Sequence, residues 1–472
     1  MMARQKSRKI KFGTDGWRGV ISDTFTFDNV RRVAVAIADY YNKQTGRKAK
    51  IVVGYDTRFL SETYARIISE ALSGSGIKVM LSDKAIPTPA LSFAAKFKNM
   101  TAGVMITASH NPAIYNGVKI KTNSGGAATP DVTSQIEKML SDSLLPLRPE
   151  PGLIIKRDLT GDYIRFLRSY INLNLLKKAR FRVLVDAMHG SGNRFIADVL
   201  AGTGIRLDFI RDQVNPNFGG LRPEPVLENL GPTLAKLKAQ RYDLGLVLDG
   251  DADRIGAFAG RGEFLHPQKI LGLLILHLVC NRKMTGGVVK TIAGTTLIDK
   301  IAARLGLRLY ETPVGFKYIS ELMEKTDVLI GGEEAGGIGF KGYIPERDGS
   351  LAGILLLEMM AYHKKPMLRI LSEMEQEFGR YYYLREDIHL RELMSSGSLS
   401  SRINSLKSKK KLLGRSVIRV KDFDGVKLIC EDEGWLMLRA SGTEPLVRVY
   451  AEARSLIRSK QLLNFGKVFI GK

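Results

Sequence analysis

Apolar residues in this chain fall into short runs separated by helical repeats, and the alternation starts three times. Thr26 precedes Val30, Val33, Ala34 and Ile37, spaced along one helix face, and Gly46 follows. That pattern predicts a helix with a capped start and a glycine stop. Ile51-Val52-Val53 then predicts a buried strand running into the polar loop Gly54 to Arg58. A helix over about Ser61–Ser73 and a strand over Ile77–Leu81 follow. Together they predict an α/β domain with a mostly parallel sheet. Ala102–Ile106 is another buried run, and Asn111-Pro112 forces the chain out of it. Lys119 and Lys121 sit at alternate positions of the strand expected next.

After the proline-rich stretch Leu145–Gly152, the pattern restarts with a helix near Tyr163–Asn172 and strands at Phe181–Val185 and Leu244–Leu248. It starts again with a strand at Gly287–Thr291, a helix over Leu297–Leu305 and a strand at Asp327–Ile330. The tail differs. Ser395–Ser401 is serine-rich and predicts a linker or loop. Gly425–Cys430 and Gly434–Arg439 alternate as hairpin strands, and a further strand, Val447–Glu452, follows a turn. The predicted fold class is therefore α/β: three similar units and a smaller α+β C-terminal domain. The expected boundaries are 1–150, 151–260, 261–370 and 371–472.

Composition changes this picture little. Hydrophobic content of 44% and charged content of 25% are those of a globular protein. The longest apolar run, Ile270 to Cys280, is too short for a bilayer and predicts a buried helix, so no membrane partner is expected. The basic stretch Met1–Lys11 has no apolar core and is not expected to be a secretory signal. Cys280 and Cys430 lie in apolar or alternating stretches and are expected as reduced core residues, which favours the cytoplasm. The net charge of +24 permits nucleic-acid binding or attraction of small anions. The basic residues are dispersed, and the Lys407–Lys411 cluster is expected to be a solvated segment, so nucleic acid is a rival rather than the expected partner.

The candidate chemistry begins at Thr107-Ala108-Ser109-His110-Asn111-Pro112, directly after a buried strand. A serine held there can carry a phosphoryl group, with Lys119 and Lys121 as cations nearby; a capped turn is the plain alternative. Arg18, in the glycine-rich loop Phe12–Gly19, could bind phosphate and could equally be a surface arginine. Asp249-Gly250-Asp251-Ala252-Asp253-Arg254 sets three carboxylates at alternate positions after another buried strand. Their mutual repulsion calls for a hard divalent cation, and oxygen ligands suit Mg²⁺; a solvated acidic turn is the plain alternative. An EF-hand loop is excluded, because its glycine and glutamate positions hold Arg254 and Gly260. Gly331–Gly337 places Glu333 among glycines after a strand, where it can bond sugar hydroxyls, although a plain turn has the same composition. Arg439-Ala440-Ser441-Gly442-Thr443, with Arg448 beyond, has the makings of an anion nest, with an ordinary hairpin turn as the alternative. No Walker-type loop is present: Gly466-Lys467 is followed by Val468.

These four stretches, in this order, resemble the α-D-phosphohexomutase family, which includes phosphoglucomutases, phosphomannomutases and phosphoglucosamine mutases. The resemblance covers nearly the whole chain. It implies three similar α/β domains with mixed sheets plus the smaller fourth domain around a central cleft; a monomer or homodimer is expected. It implies Ser109 as the phosphoserine and, with Asp249, Asp251 and Asp253, as a ligand of Mg²⁺. Glu333 is implied as a sugar contact. Arg439, Ser441, Gly442, Thr443 and Arg448 are implied as the site of the non-reacting phosphate. Arg18, Lys119 and Arg254 match positions lining the reaction centre. Lys119 is the expected base, its pKa lowered by Mg²⁺ and neighbouring cations, with His110 as the second candidate. The implied reaction interconverts hexose 1- and 6-phosphates through a hexose 1,6-bisphosphate intermediate. Thr312–Tyr318 looks like the loop of glucose-type members, with Lys317 holding substrate, which favours glucose over the glucosamine branch; mannose or glucosamine phosphate is the rival substrate. Two positions depart from the pattern: Ala335 stands where members commonly have serine, and Gly337 where many have histidine.

Overall fold

The computed structural model describes residues 10–13, 15–141, 148–389, 396–440 and 446–471. Strands in these residues form four sheets. The first contains β1 (Trp17–Val20), β2 (Lys50–Tyr55), β3 (Lys78–Ser82), β4 (Ala102–Ile106), β5 (Tyr115–Lys121) and β6 (Ile154–Arg157), in the order β1-β5-β4-β2-β3-β6. The second contains β7 (Arg182–Asp186), β8 (Arg206–Ile210), β9 (Leu244–Leu248), β10 (Ile255–Ala259) and β11 (Glu263–Leu265), ordered β11-β10-β9-β7-β8. The third contains β12 (Gly287–Thr291), β13 (Leu309–Thr312), β14 (Val328–Gly332) and β15 (Ile338–Phe340), ordered β13-β12-β14-β15.

One unit recurs in all three. The parallel trios β3-β2-β4, β8-β7-β9 and β13-β12-β14 each gain an antiparallel strand, respectively β5, β10 and β15. The sheets are therefore mixed. The turn into the antiparallel strand holds Ser109 in the first unit, Asp249 to Asp253 in the second and Glu333 in the third. Three chemically different loops thus occupy one topological position, at the carboxyl end of a buried parallel strand where ligand sites gather.

The fourth sheet is antiparallel: β16 (Tyr382–His389), β17 (Lys411–Leu412), β18 (Arg415–Lys421), β19 (Val426–Cys430), β20 (Trp435–Ala440) and β21 (Leu446–Ala453). β20 and β21 flank residues 441–445, so the Ser441, Gly442 and Thr443 expected to bind phosphate lie outside the described residues.

Local signals explain many of the elements. In the helix Phe27–Thr45, the Thr26 side chain accepts from the Asn29 amide and the chain leaves at Gly46. The helix Gly349–His363 is apolar and buried nearly all round because it runs between the second and third units. Asp348 caps its start, accepting from the Leu351 amide at 2.8 Å. The helices Pro267–Leu276 and Met367–Phe378 share that core.

Several expectations need correction. β6 pairs with β3, so the first unit runs past residue 150. The β10–β11 hairpin straddles 260 and the helix Met367–Phe378 straddles 370. Ser395–Ser401 is not simply a linker, because a helix runs from Ser396 to Ser405. Cys280 is exposed at the wide turn that ends the long apolar helix, whereas Cys430 is buried as expected. Among the described residues no helix is long and apolar enough to cross a membrane.

The fourth domain docks on the third through a buried lysine. Lys427 Nζ donates to Ile292 O at 2.8 Å and Gly294 O at 3.2 Å, and lies 3.7 Å from the Trp435 ring centroid. Burial, and then the Lys290 charge, push its pKa down to about 7. Between pH 7 and the ordinary lysine pKa the unfolded chain therefore holds more protons, so this group's contribution to stability rises with pH. Melting temperatures from pH 7 to 9.5 are expected to show the wild type gaining on Lys427→Met as pH rises; a constant gap would contradict this.

Candidate active site

The serine loop is held from beneath by one arginine. Arg58, at the end of β2, donates to the carbonyls of Ser109, Asn111 (2.7 Å), Pro112 (2.9 Å) and Tyr115 (3.1 Å). Its Nε pairs with Asp56 at 3.1 Å, and Asp56 also accepts from Thr107 Oγ1 at 2.6 Å. This scaffold holds Ser109 at φ 52°, a left-handed conformation that a non-glycine residue adopts only when its surroundings impose it. The side chain is buried, and its Oγ donates to Asp249 Oδ2 at 2.9 Å. Gly250 permits this approach of two domains: a Cβ there would lie 2.5 Å from Ser109 O.

Asp249, Asp251 and Asp253 are fully buried, and one oxygen from each lies within 4.8 Å of the others. Asp251 Oδ1 and Asp253 Oδ1 have no hydrogen-bond partner. A compact set of hard oxygens with unsatisfied acceptors fits a divalent cation such as Mg²⁺. Burial, and then Asp253 and Asp251, push the Asp249 carboxyl well above its usual range. That strain is what a metal would relieve.

Lys119 Nζ lies 2.8 Å from Asp251, 3.0 Å from Asp253 and 3.0 Å from Asp15. The lowering expected for the Lys119 pKa rests on Mg²⁺, and the protein groups alone act in the opposite direction. Burial alone would lower the pKa, but Asp15, Asp251 and Asp253 more than offset burial and raise it. His110 goes the other way. Burial, then Arg254, Arg18, Arg385 and Lys119, hold it well below the ordinary histidine value. It is therefore the neutral group, with Nδ1 3.5 Å from Ser109 Oγ. Arg18 donates to Asn111 Oδ1, which fixes it on the serine loop. Arg254 lies beside Glu224 (3.6 Å), and its amide donates to Asp249 Oδ1 at 3.1 Å.

On the loop between β14 and β15, Glu333 accepts from Arg347 Nη1 at 3.2 Å. Burial raises its pKa to about 7, with Arg347 opposing and Glu334 adding to the shift. Lys317, near the start of the helix Phe316–Lys325, pairs with no carboxylate among the described residues, and its Nζ lies 5.0 Å from the Tyr318 ring. In the fourth domain Arg439 and Arg448 face each other across β20 and β21. Arg439 pairs with Asp424 at 2.8 Å, and Arg448 with Asp387 at 3.5 Å. Asp424 also accepts from the Val314 amide at 2.7 Å, which ties the Lys317 loop to Arg439.

The models of all four domains of one family match the chain. Those for phosphoglucomutase/phosphomannomutase alpha/beta/alpha domains I, II and III match residues 9–144, 161–262 and 266–378, and that for the C-terminal domain matches 403–463. The chain belongs to the phosphoglucomutase/phosphomannomutase family. It is 30% identical to a phosphoglucomutase/phosphomannomutase of Thermococcus kodakarensis, over 96% of this chain and 97% of that one. It is 28% identical to a phosphoglucosamine/phosphogalactosamine mutase of Sulfurisphaera tokodaii, over 98% and 99%. A crystal structure of a protein provisionally assigned as a phosphomannomutase, from Thermus thermophilus, superposes with a TM-score of 0.89 at 35% identity, over 99% of this chain and 100% of that one. Membership makes the chain an intramolecular phosphotransferase.

For this family member, sequence reasoning missed Asp15, Asp56, Arg58, Glu346 and Arg347. A signal existed for two of these groups. Asp56 and Arg58 end a buried strand, and Glu346-Arg347-Asp348 is a charged triplet directly before an all-apolar helix.

Proposed function

We propose that this enzyme interconverts hexose 1-phosphate and hexose 6-phosphate, glucose being the preferred hexose, through a phosphorylated Ser109. The observation that carries this is Ser109 Oγ, buried and 2.9 Å from Asp249, inside a cluster of three buried aspartates and the cation Lys119. In the forward half-reaction the bond from phosphorus to Ser109 Oγ breaks and one to a sugar hydroxyl forms. The hexose 1,6-bisphosphate then turns over and returns its other phosphate to Ser109. His110, the neutral group, takes the hydroxyl proton, and Lys119, Arg18 and Arg254 neutralise charge on the moving group; such transfers rest on positioning and electrostatics. Asp249, Asp251, Asp253 and phosphorylated Ser109 would hold Mg²⁺, which when bound supplies further neutralisation of the phosphoryl oxygens.

Glu333 and Lys317 bind the sugar, and Arg439 and Arg448, with Ser441, Gly442 and Thr443, anchor the phosphate not being transferred. A charge-assisted hydrogen bond contributes about 1.5–3 kcal/mol, so Arg448→Ala is expected to weaken binding at least about tenfold. Both sugar orientations use this anchor, so forward and reverse rates should fall alike; an effect in one direction alone would remove the shared-anchor mechanism.

A second reading is an amino sugar. Glu334 sets a second carboxylate beside Glu333, which suits an ammonium substituent, and one relative is a phosphoglucosamine/phosphogalactosamine mutase. Rates on glucose, mannose and glucosamine 1-phosphates, measured side by side, test the preference: glucose is expected to lead, and glucosamine leading would select the second reading. The rival role for the +24 charge, nucleic-acid binding on a disused scaffold, predicts filter retention at physiological salt and no mutase activity.

A further inference from the structure

Arg347 lies between all three α/β units. Its Nη2 is 2.6 Å from Asp15 in the first and 2.7 Å from Asp253 in the second, and its Nη1 is 3.2 Å from Glu333 in the third. Its Nε lies 3.4 Å from Glu346 but makes no hydrogen bond there, and is a buried donor without an acceptor. The guanidinium carbon lies 5.5 Å from the centroid of Phe316, the neighbour of Lys317. The residue is buried, and its backbone is clamped because the following helix starts against the metal loop, where the Gly349 amide donates to Ala252 O at 3.2 Å.

The side chain fits only because position 337 is glycine. A Cβ on Gly337 would lie 2.2 Å from Arg347 Cδ, 2.8 Å from its Cγ and 3.0 Å from Glu333 Oε2. A side chain at 337 and Arg347 therefore claim the same volume, directly over the sugar carboxylate.

We propose that Arg347 is a positioning residue that fixes Glu333 for the sugar while opposing, through its charge on Asp253, the binding of a divalent cation. This rests on the mutase reading above. The two effects have opposite signs, because one guanidinium orients Glu333 and repels a cation beside it. A guanidinium can span several carboxylates, whereas an ammonium holds a point charge at one of them. A merely structural arginine would, when removed, weaken both functions together.

The test uses full-length Arg347→Met and Arg347→Lys. Mn²⁺ binding is read without sugar from the free-ion electron paramagnetic resonance signal; kcat and KM for glucose 1-phosphate and the melting temperature are measured in parallel. Arg347→Met is expected to bind Mn²⁺ at least about tenfold tighter, since a unit charge a few ångströms from the ion is removed. Its KM is expected to rise at least about tenfold with a smaller fall in kcat, from the loss of the Glu333 contact. Arg347→Lys should return Mn²⁺ affinity to near the wild-type value but not KM. Gly337→Ala, which displaces the guanidinium without removing charge, should also raise KM, and it serves if Arg347→Met does not fold. Weaker Mn²⁺ binding together with a raised KM and a lower melting temperature would overturn the proposal, as would no change in either constant. If the wild type turns over no hexose phosphate, the mutase reading fails instead, and the Mn²⁺ measurement alone decides whether Arg347 opposes the metal.

Discussion

Ser109→Ala is expected to reduce mutase activity by at least about 10⁴-fold while leaving the melting temperature nearly unchanged, since loss of a covalent nucleophile costs on the order of 10⁶ in kcat in a well-studied hydrolase. The side chain makes one strong contact, to Asp249, and its backbone is held independently by Arg58. Removing the hydroxyl therefore removes the acceptor of the phosphoryl group without loosening the loop. The comparison variant is Arg58→Met, which keeps the hydroxyl but releases the four carbonyls that Arg58 holds. That variant should lose stability as well as activity. Full activity in Ser109→Ala, with the fold intact, would exclude a phosphoserine mechanism at this position.

Asp251→Asn is expected to lower kcat by about 10²–10³-fold, the usual effect of losing one preorganised charged group at a reacting centre. The carboxylate does two things here. One oxygen accepts from Thr88 Oγ1 at 2.6 Å and Lys119 at 2.8 Å, and the other has no partner. Asparagine keeps the shape and the Thr88 contact, and Lys119 retains Asp15 and Asp253. Stability should thus fall only modestly, whereas the free oxygen that fits a metal loses its charge. Raising Mg²⁺ should recover part of the rate. Normal activity of Asp251→Asn in the presence of chelator would show that this cluster holds no catalytic metal.

The parts legible in the sequence are those where local pattern and burial agree. The strand Ala102–Ile106 and the strand Leu244–Leu248 fall where their apolar runs place them, and the reactive loops follow at once. The helix at Ser396–Ser405 was obscured by its serines. Leu399, Ile403 and Leu406 nevertheless repeat at helical spacing and are buried in the last domain's core. Composition suggested a loop, but periodicity carried the helix. The domain boundaries were misplaced because a hairpin and a helix cross them, and neither leaves a compositional mark.

At the site, residue types were readable and their partners were not. Lys119 was expected beside Mg²⁺ and the aspartate loop; the partner no motif pointed to is Asp15, which reaches it from a loop distant in sequence. Arg347 was invisible for the same reason: its role depends on three residues from three units meeting at one guanidinium. Such meetings are properties of tertiary packing, and no spacing rule along one strand or helix encodes them.

The most direct test of the central claim is the position of the phosphate. The enzyme is incubated with glucose 1,6-bisphosphate, freed of sugar, and its intact mass and phosphopeptides are measured. One added phosphoryl group on the peptide carrying Ser109, discharged when glucose 1-phosphate is added, is the predicted result. Mutase turnover with phosphate found only elsewhere on the chain, or with none at all, would contradict it.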